Sequence, residues 1–226
     1  MQKPSTKTLF DYWNALRGSR SAPDRRDIDP TRIRTALANT FILELNEANE
    51  FDFRLAGSHL CSAYARELKG RSFTRLWHQR DRDAMETLMR AVTEDHAVAL
   101  VTFQGTTALN THVVIETVLM PLRHNGTTTS RVLGGMSAID EPYWFGVQPI
   151  MEQRITGLRL IWPDDISIGD VTRNVARDVS TFVPRREEQQ LQQAMGAGVP
   201  TPLNATVFGR SARRYAHLAV IDGGRS

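Results

Sequence analysis

Hydrophobic and polar positions follow two rhythms along this chain. Over residues 6–17, TKTLFDYWNALR, the residues Leu9, Tyr12, Trp13 and Leu16 recur at helical spacing, and Gly18 follows as a stop. A helix this short is marginal alone, so its apolar stripe predicts docking on another surface. Asp29 then reads as an N-cap and Pro30 as the first helical position of a short helix through Ala38. The rhythm next changes to alternation. TFILELN at 40–46 puts Phe41, Leu43 and Leu45 on one face, and EFDFRL at 50–55 does the same with Phe51, Phe53 and Leu55. Asn46–Asn49 predicts the hairpin turn between them.

Gly57 ends that pair. Residues 58–66 predict a helix with Leu60, Cys61 and Tyr64 inward, and 73–77 a further helical turn. Residues 80–94 form an amphipathic helix through Met85, Leu88, Met89 and Val92. Three long strands follow at 97–104, 111–122 and 131–140, separated by Asn110 and by His124-Asn125-Gly126-Thr127. Residues 154–162, RITGLRLIW, suit one more strand or an extended packing segment. Beyond 163 the composition turns to Pro, Gly, Asp, Arg and Gln, which predicts a flexible tail. RRYAHLAVIDGG near the end regains alternation suited to docking on the sheet or on a partner. The expected organisation is a helical extension at 1–38, a core domain at 39–162 and a flexible basic tail at 163–226.

Charge narrows the classes. The formal net charge is only +3, and both signs are interspersed through the first 190 residues. That argues against a nucleic-acid binder, which concentrates its basic residues. The tail arginines Arg210, Arg213 and Arg214 are the one place such binding could start. A single cysteine, Cys61, excludes an intrachain disulfide and points to the cytoplasm. The start MQKPSTKTLF has no signal-peptide core, and no run reaches the roughly 18 apolar residues of a membrane span.

The order helix, two strands, short helices, a longer helix and three strands resembles the PAS fold. LFDYWNALRG at 9–18, Pro23 with Asp27-Ile28-Asp29-Pro30, and FDFRLAGSHLCSAYARELKGRSFTRLW at 51–77 resemble the short stand-alone PAS family common in alphaproteobacteria. The closing HLAVIDGG at 217–224 is similar to tails of that family. The resemblance implies an α+β fold: a five-stranded antiparallel sheet with short helices on one face, an N-terminal helical extension and a partly disordered tail. It also implies a regulatory role, either by binding a small molecule between sheet and helices or by docking partners.

Candidate chemistry is thin. Cys61 sits in His59-Leu60-Cys61-Ser62, not in the Asn-Cys-Arg-Phe-Leu-Gln setting of a flavin photosensor, and reads as packing. His59, His78, His96 and His112 are the histidines to weigh as haem ligands, with His59 the best placed, but the pattern argues against haem. Acidic pairs such as Asp81/Asp83 and Glu94/Asp95 read as solvated surface. Gly134-Gly135 marks a bulge or a close backbone approach, not a phosphate loop. The cofactor is left unknown, and no metal or catalytic set is expected.

The positive feature is an apolar set facing the sandwich interior: Phe53, Leu55, Leu60, Tyr64, Phe73, Trp77, Leu88, Val101, Phe103, Val113, Ile115 and Met136. It could line a ligand pocket or simply fill the core. Parity puts Glu116 on the opposite face with Val114, Val118 and Met120, a face too apolar for solvent. The N-terminal stripe of Leu9, Tyr12, Trp13 and Leu16 either covers that face or pairs with its copy in a homodimer. The reading is therefore a cytoplasmic sensor or adaptor, not an enzyme. It would bind a small ligand or a protein partner, such as a histidine kinase, and relay a signal by contact. The alternatives are a ligand-free scaffold and, further off, an enzyme of unknown type.

Overall fold

The structure is a computed structural model that describes residues 1–124 and 128–162. The expectations for 163–226 and for the turn at 125–127 lie outside the described residues. Helix α1 runs Pro4–Arg17, α2 Ser58–Ala63 and α3 Gln79–Thr93. The strands are β1 Thr40–Leu45, β2 Phe51–Ala56, β3 Val98–Thr107, β4 His112–His124, β5 Thr128–Ala138 and β6 Ile150–Ile161. All pairings are antiparallel, in the order β2-β1-β5-β4-β3-β6.

The α+β sheet-and-helix fold is the expected one, with one strand more than the five of the resemblance. The sixth, β6, pairs with β3 along Val98–Thr107. It starts four residues before the 154 read from sequence, because Ile150–Gln153 mixes exposed Met151 with inward Ile150 and Gln153 across an irregular register. The helix expected over 31–38 forms instead as two 3-10 turns, Pro30–Ile33 and Leu37–Asn39, with Asp29 Oδ1 accepting from Thr31 N at 2.9 Å.

Local signals explain the remaining elements. Pro4 opens α1, where a missing N–H costs nothing, and Gly18 at φ 57° ends it. In α3 the buried residues Ala84, Met85, Leu88, Met89, Ala91 and Val92 form one stripe, and His78 caps its start by accepting from Arg80 N. Asn49 and Asn110, both at positive φ, turn the β1–β2 and β3–β4 hairpins.

The sheet has two covered faces. On the inner face α2, α3 and the turn Thr74–Leu76 enclose a core in which aromatic rings follow one another. Phe41, Phe53 and Phe73 pack mutually at 5.6–5.8 Å, Phe73 meets Trp77 at 5.9 Å, and Trp77 meets Phe103 at 5.1 Å. On the outer face α1 lays Leu9 and Trp13 over Ile42, Val118, Met120 and Leu133. Gly134 and Gly135 serve one face each. A Cβ on Gly134 would meet the Phe41 ring at 2.1 Å, and one on Gly135 would meet Leu9 Cδ2 at 2.8 Å. The pair is the close backbone approach that the sequence suggests.

Candidate functional site

Eleven of the twelve residues read as facing the sandwich interior belong to the inner core: Phe53, Leu60, Tyr64, Phe73, Trp77, Leu88, Val101, Phe103, Val113, Ile115 and Met136. Leu55 does not, and is 43% exposed. The register supplies the reason. Ile42 pairs with Leu55 but Leu43 pairs with Phe53, so Arg54 is an extra residue that turns Leu55 to the other face.

The interior is apolar except for a small polar group that the hydrophobic pattern did not reveal. Tyr64, at the end of α2, donates its hydroxyl to Gln153 Oε1 on β6 at 2.5 Å and lies 3.8 Å from Met136 Sδ on β5. Burial pushes the Tyr64 phenol well above its ordinary pKa, so it stays a donor. Met136 stands directly across from Thr117 on β4. Trp77 is tied to the same corner, since the next residue, His78, donates its N–H to Gln153 O at 3.1 Å. Three donors here have no hydrogen-bond partner: Trp77 Nε1, Thr117 Oγ1 and Gln153 Nε2. Each belongs to a residue at most 1% exposed. A buried unsatisfied donor costs about 1–3 kcal/mol, so three on the inner side of the sheet require an explanation.

The outer face is built differently. Glu116, one residue from Thr117, is 2% exposed yet fully engaged. Its carboxylate accepts from Gln2 N at 2.8 Å, from Lys3 N at 3.2 Å and from the Thr6 hydroxyl. It thereby holds the amides of Gln2 and of the N-cap Lys3 just ahead of α1, at the helix end where a negative charge is favoured. Ser137, paired across from Glu116, holds Ser5 Oγ at 2.6 Å and accepts from Asn39 Nδ2 at 3.1 Å. Trp13 donates Nε1–H to Pro121 O at 2.8 Å.

The residues read as an interface divide accordingly. Leu9, Trp13, Val118 and Met120 are buried within the chain, and Tyr12 and Leu16 are half-buried. Of the two alternatives for the N-terminal stripe, α1 takes the intramolecular one. Val114 alone of this set stays open, at 43% exposure.

The weighed histidines stand away from the interior. His59 and His112 are exposed, and His78 and His96 are half-buried. Cys61 is half-buried, with Sγ 3.8 Å from Glu67 Oε1. Among the described residues no three His, Cys, Asp or Glu side chains gather as a metal site, and no helix is long and apolar enough to cross a membrane.

No curated protein matches the sequence. The structure of the light state of the blue-light photoreceptor Aureochrome1 LOV is 16% identical, with 49% of this chain and 88% of that one covered at a TM-score of 0.38. A PAS domain from Colwellia psychrerythraea is 13% identical, with 49% and 97% covered at a TM-score of 0.35. A family model for the PAS domain matches residues 1–137, from the start through α1 and nearly all of β5. That match spans more than half of the 226 residues, and the chain belongs to the PAS domain family, a general signal-sensing module.

Proposed function

We propose that this PAS domain is a cytoplasmic sensor or adaptor that binds a small molecule in its sandwich interior and reports it through α1 to a partner protein. The observation that carries the reading is the trio of unspent donors, Trp77 Nε1, Thr117 Oγ1 and Gln153 Nε2, in an otherwise apolar interior. An occupant with acceptor atoms, such as a carbonyl, carboxylate or heteroaromatic nitrogen, would satisfy them. These are groups for recognition, not a nucleophile with its base, so the role is binding rather than catalysis.

The output follows from strand alternation. Thr117 and Met136 form one rung of the β4–β5 ladder on the inner face, and Glu116 and Ser137 form the next rung on the outer face. Displacing the inner rung displaces the hold on the first turn of α1. A ligand can shift that equilibrium only by the difference in its affinity for the docked and released forms. The released helix would expose Leu9 and Trp13, an apolar stripe suited to a partner such as a histidine kinase or to a second copy of this chain. A homodimer of the docked form needs a different seam, since those residues are then buried.

Native mass spectrometry of freshly purified full-length protein, with an absorption spectrum, tests the reading. The expected result is a mass above the 25.5 kDa of the chain, falling to the bare mass for Thr117→Val combined with Gln153→Leu. A bare mass for the wild type, with no ligand-induced change at the Trp77 indole N–H across a metabolite library, would sink it. The second reading, a ligand-free interaction scaffold, would then stand on the continuous packing from Phe41 to Phe103.

A further inference from the structure

A concavity opens at the margin of the inner core. Between α2 and the end of β5, a cleft of about 290 Å³ opens at the surface. That is near the lower limit for small-molecule sites. Leu60, Ala63, Met136 and Ala138 of the inner core line it together with His59, Glu141 and Phe145. No Lys or Arg lines it. Glu141 is exposed and enters no ion pair among the described residues. The nearby Lys3 ammonium donates to Ile139 O at 3.3 Å.

A chain of polar contacts leaves this cleft and ends on α1. His59 Nδ1 lies 2.8 Å from Asn39 Oδ1, Asn39 Nδ2 donates to Ser137 Oγ at 3.1 Å, and Ser137 Oγ lies 2.6 Å from Ser5 Oγ. The backbone under it is tight. A Cβ on Gly57, at the start of α2, would come within 2.3 Å of Ala38 O, so the turn Leu37–Asn39 and α2 cannot slide past each other freely.

We infer that this cleft binds a small organic ammonium compound with an aromatic or aliphatic body, and that its occupancy is transmitted to α1 through Asn39 and Ser137. Glu141 supplies the opposite charge, Phe145 is the aromatic residue in the same lining, and the apolar side chains take the body. An anion would meet the Glu141 charge with no lysine or arginine in the lining to offset it. The Ser137 hydroxyl is shared between Asn39 and Ser5, so an occupant that moves His59 and Asn39 changes the hold on α1. By linkage, the docking of α1 changes the affinity of the cleft by the same factor. The inference does not require a ligand in the sandwich interior.

The test is an NMR titration of the isotope-labelled full chain with phenethylamine, and with 2-phenylethanol as its neutral counterpart. The amine is expected to give saturable shifts at the Asn39 side-chain amide, at Glu141 and along the first turn of α1, while the Trp77 indole N–H stays fixed. The alcohol is expected not to saturate over the same range. Glu141→Gln should weaken the amine about three- to fivefold, as for a partly exposed ion pair. Ser5→Ala should keep the shift at Asn39 and abolish those along α1. Equal binding of amine and alcohol, an unchanged affinity in Glu141→Gln, or shifts led by Trp77 would overturn the site. Wild-type α1 signals that do not move at saturation would overturn the transmission.

Discussion

The two faces of the sheet both bury apolar residues, but they treat their polar groups in opposite ways. Outside, under α1, Glu116, Ser137, Thr6 and Trp13 are all hydrogen-bonded. Inside, Trp77, Thr117 and Gln153 hold donors with nothing to receive them. The joint between α1 and the sheet is completed by these four residues, which meet their needs within the chain. The inner face is packed yet carries hydrogen-bonding capacity that the chain alone does not use. Polar satisfaction therefore separates a structural seam from a recognition site, where hydrophobicity cannot.

The largest test of this contrast is Trp13→Ala. It empties a fully buried indole site and frees Pro121 O, and should cost about 3–5 kcal/mol. Hydrogen exchange on the variant should show α1 amides losing protection while inner-face amides of β3 and β4 keep theirs. Sheet amides that exchange in step with α1 would break the contrast, because the two faces would then be one cooperative unit. Next in size is Glu116→Ala, which removes the acceptor for Gln2 N, Lys3 N and the Thr6 hydroxyl at once. A loss of about 1–3 kcal/mol is expected in urea unfolding, with fraying that starts at Pro4 rather than at Arg17. Uniform loss of protection along α1 would show that Glu116 does not pin its first turn.

Much of this architecture was legible in the sequence, and the failures have physical causes. Strand alternation assigned the inner face correctly at Phe53, Val101, Phe103, Val113 and Ile115 because a buried face enforces parity. It failed at Leu55 because FDFRLA alternates without a flaw, and the extra residue Arg54 becomes visible only in the pairing with β1. Parity places Glu116 on the right face but names no partner for its carboxylate. Its burial comes from the amides of a segment more than 100 positions earlier. The contact chain His59–Asn39–Ser137–Ser5 spans up to 132 positions and has no local signal at all. Gln153 carries no such local signal either, because its burial beside exposed Met151 and Arg154 follows from the irregular register of β6.

A pH titration probes the inner face without changing its shape. The folded state holds the Tyr64 phenol protonated above its ordinary range, so at high pH the unfolded chain gives up this proton first. The contribution is complete below the unfolded value of about 10 and is lost as pH rises from there toward the higher folded value. Its slope is at most about 1.4 kcal/mol per pH unit. Tyr64→Phe should flatten that part of the stability profile. An equal slope in both proteins would place Tyr64 in contact with water and weaken the view of a dry interior.

The smallest effect is the most discriminating. Thr117→Val exchanges an unpartnered, fully buried hydroxyl for a methyl of similar shape. In the ligand-free chain this removes a desolvation penalty and breaks no hydrogen bond, so stability should hold or rise by up to about 1 kcal/mol. The same exchange at a satisfied hydroxyl of the outer face, Thr6→Val, should destabilise by a similar amount, because the buried Glu116 carboxylate loses a donor. Opposite signs at two buried threonine hydroxyls would be the contrast between the faces in its simplest form. A loss at Thr117 equal to that at Thr6 would mean that its hydroxyl already has a partner in solution, an ordered water or a retained ligand. Repeating the urea measurement after unfolding, dialysis and refolding separates these. Water would return and preserve the loss, whereas a retained ligand would be gone and the sign would revert.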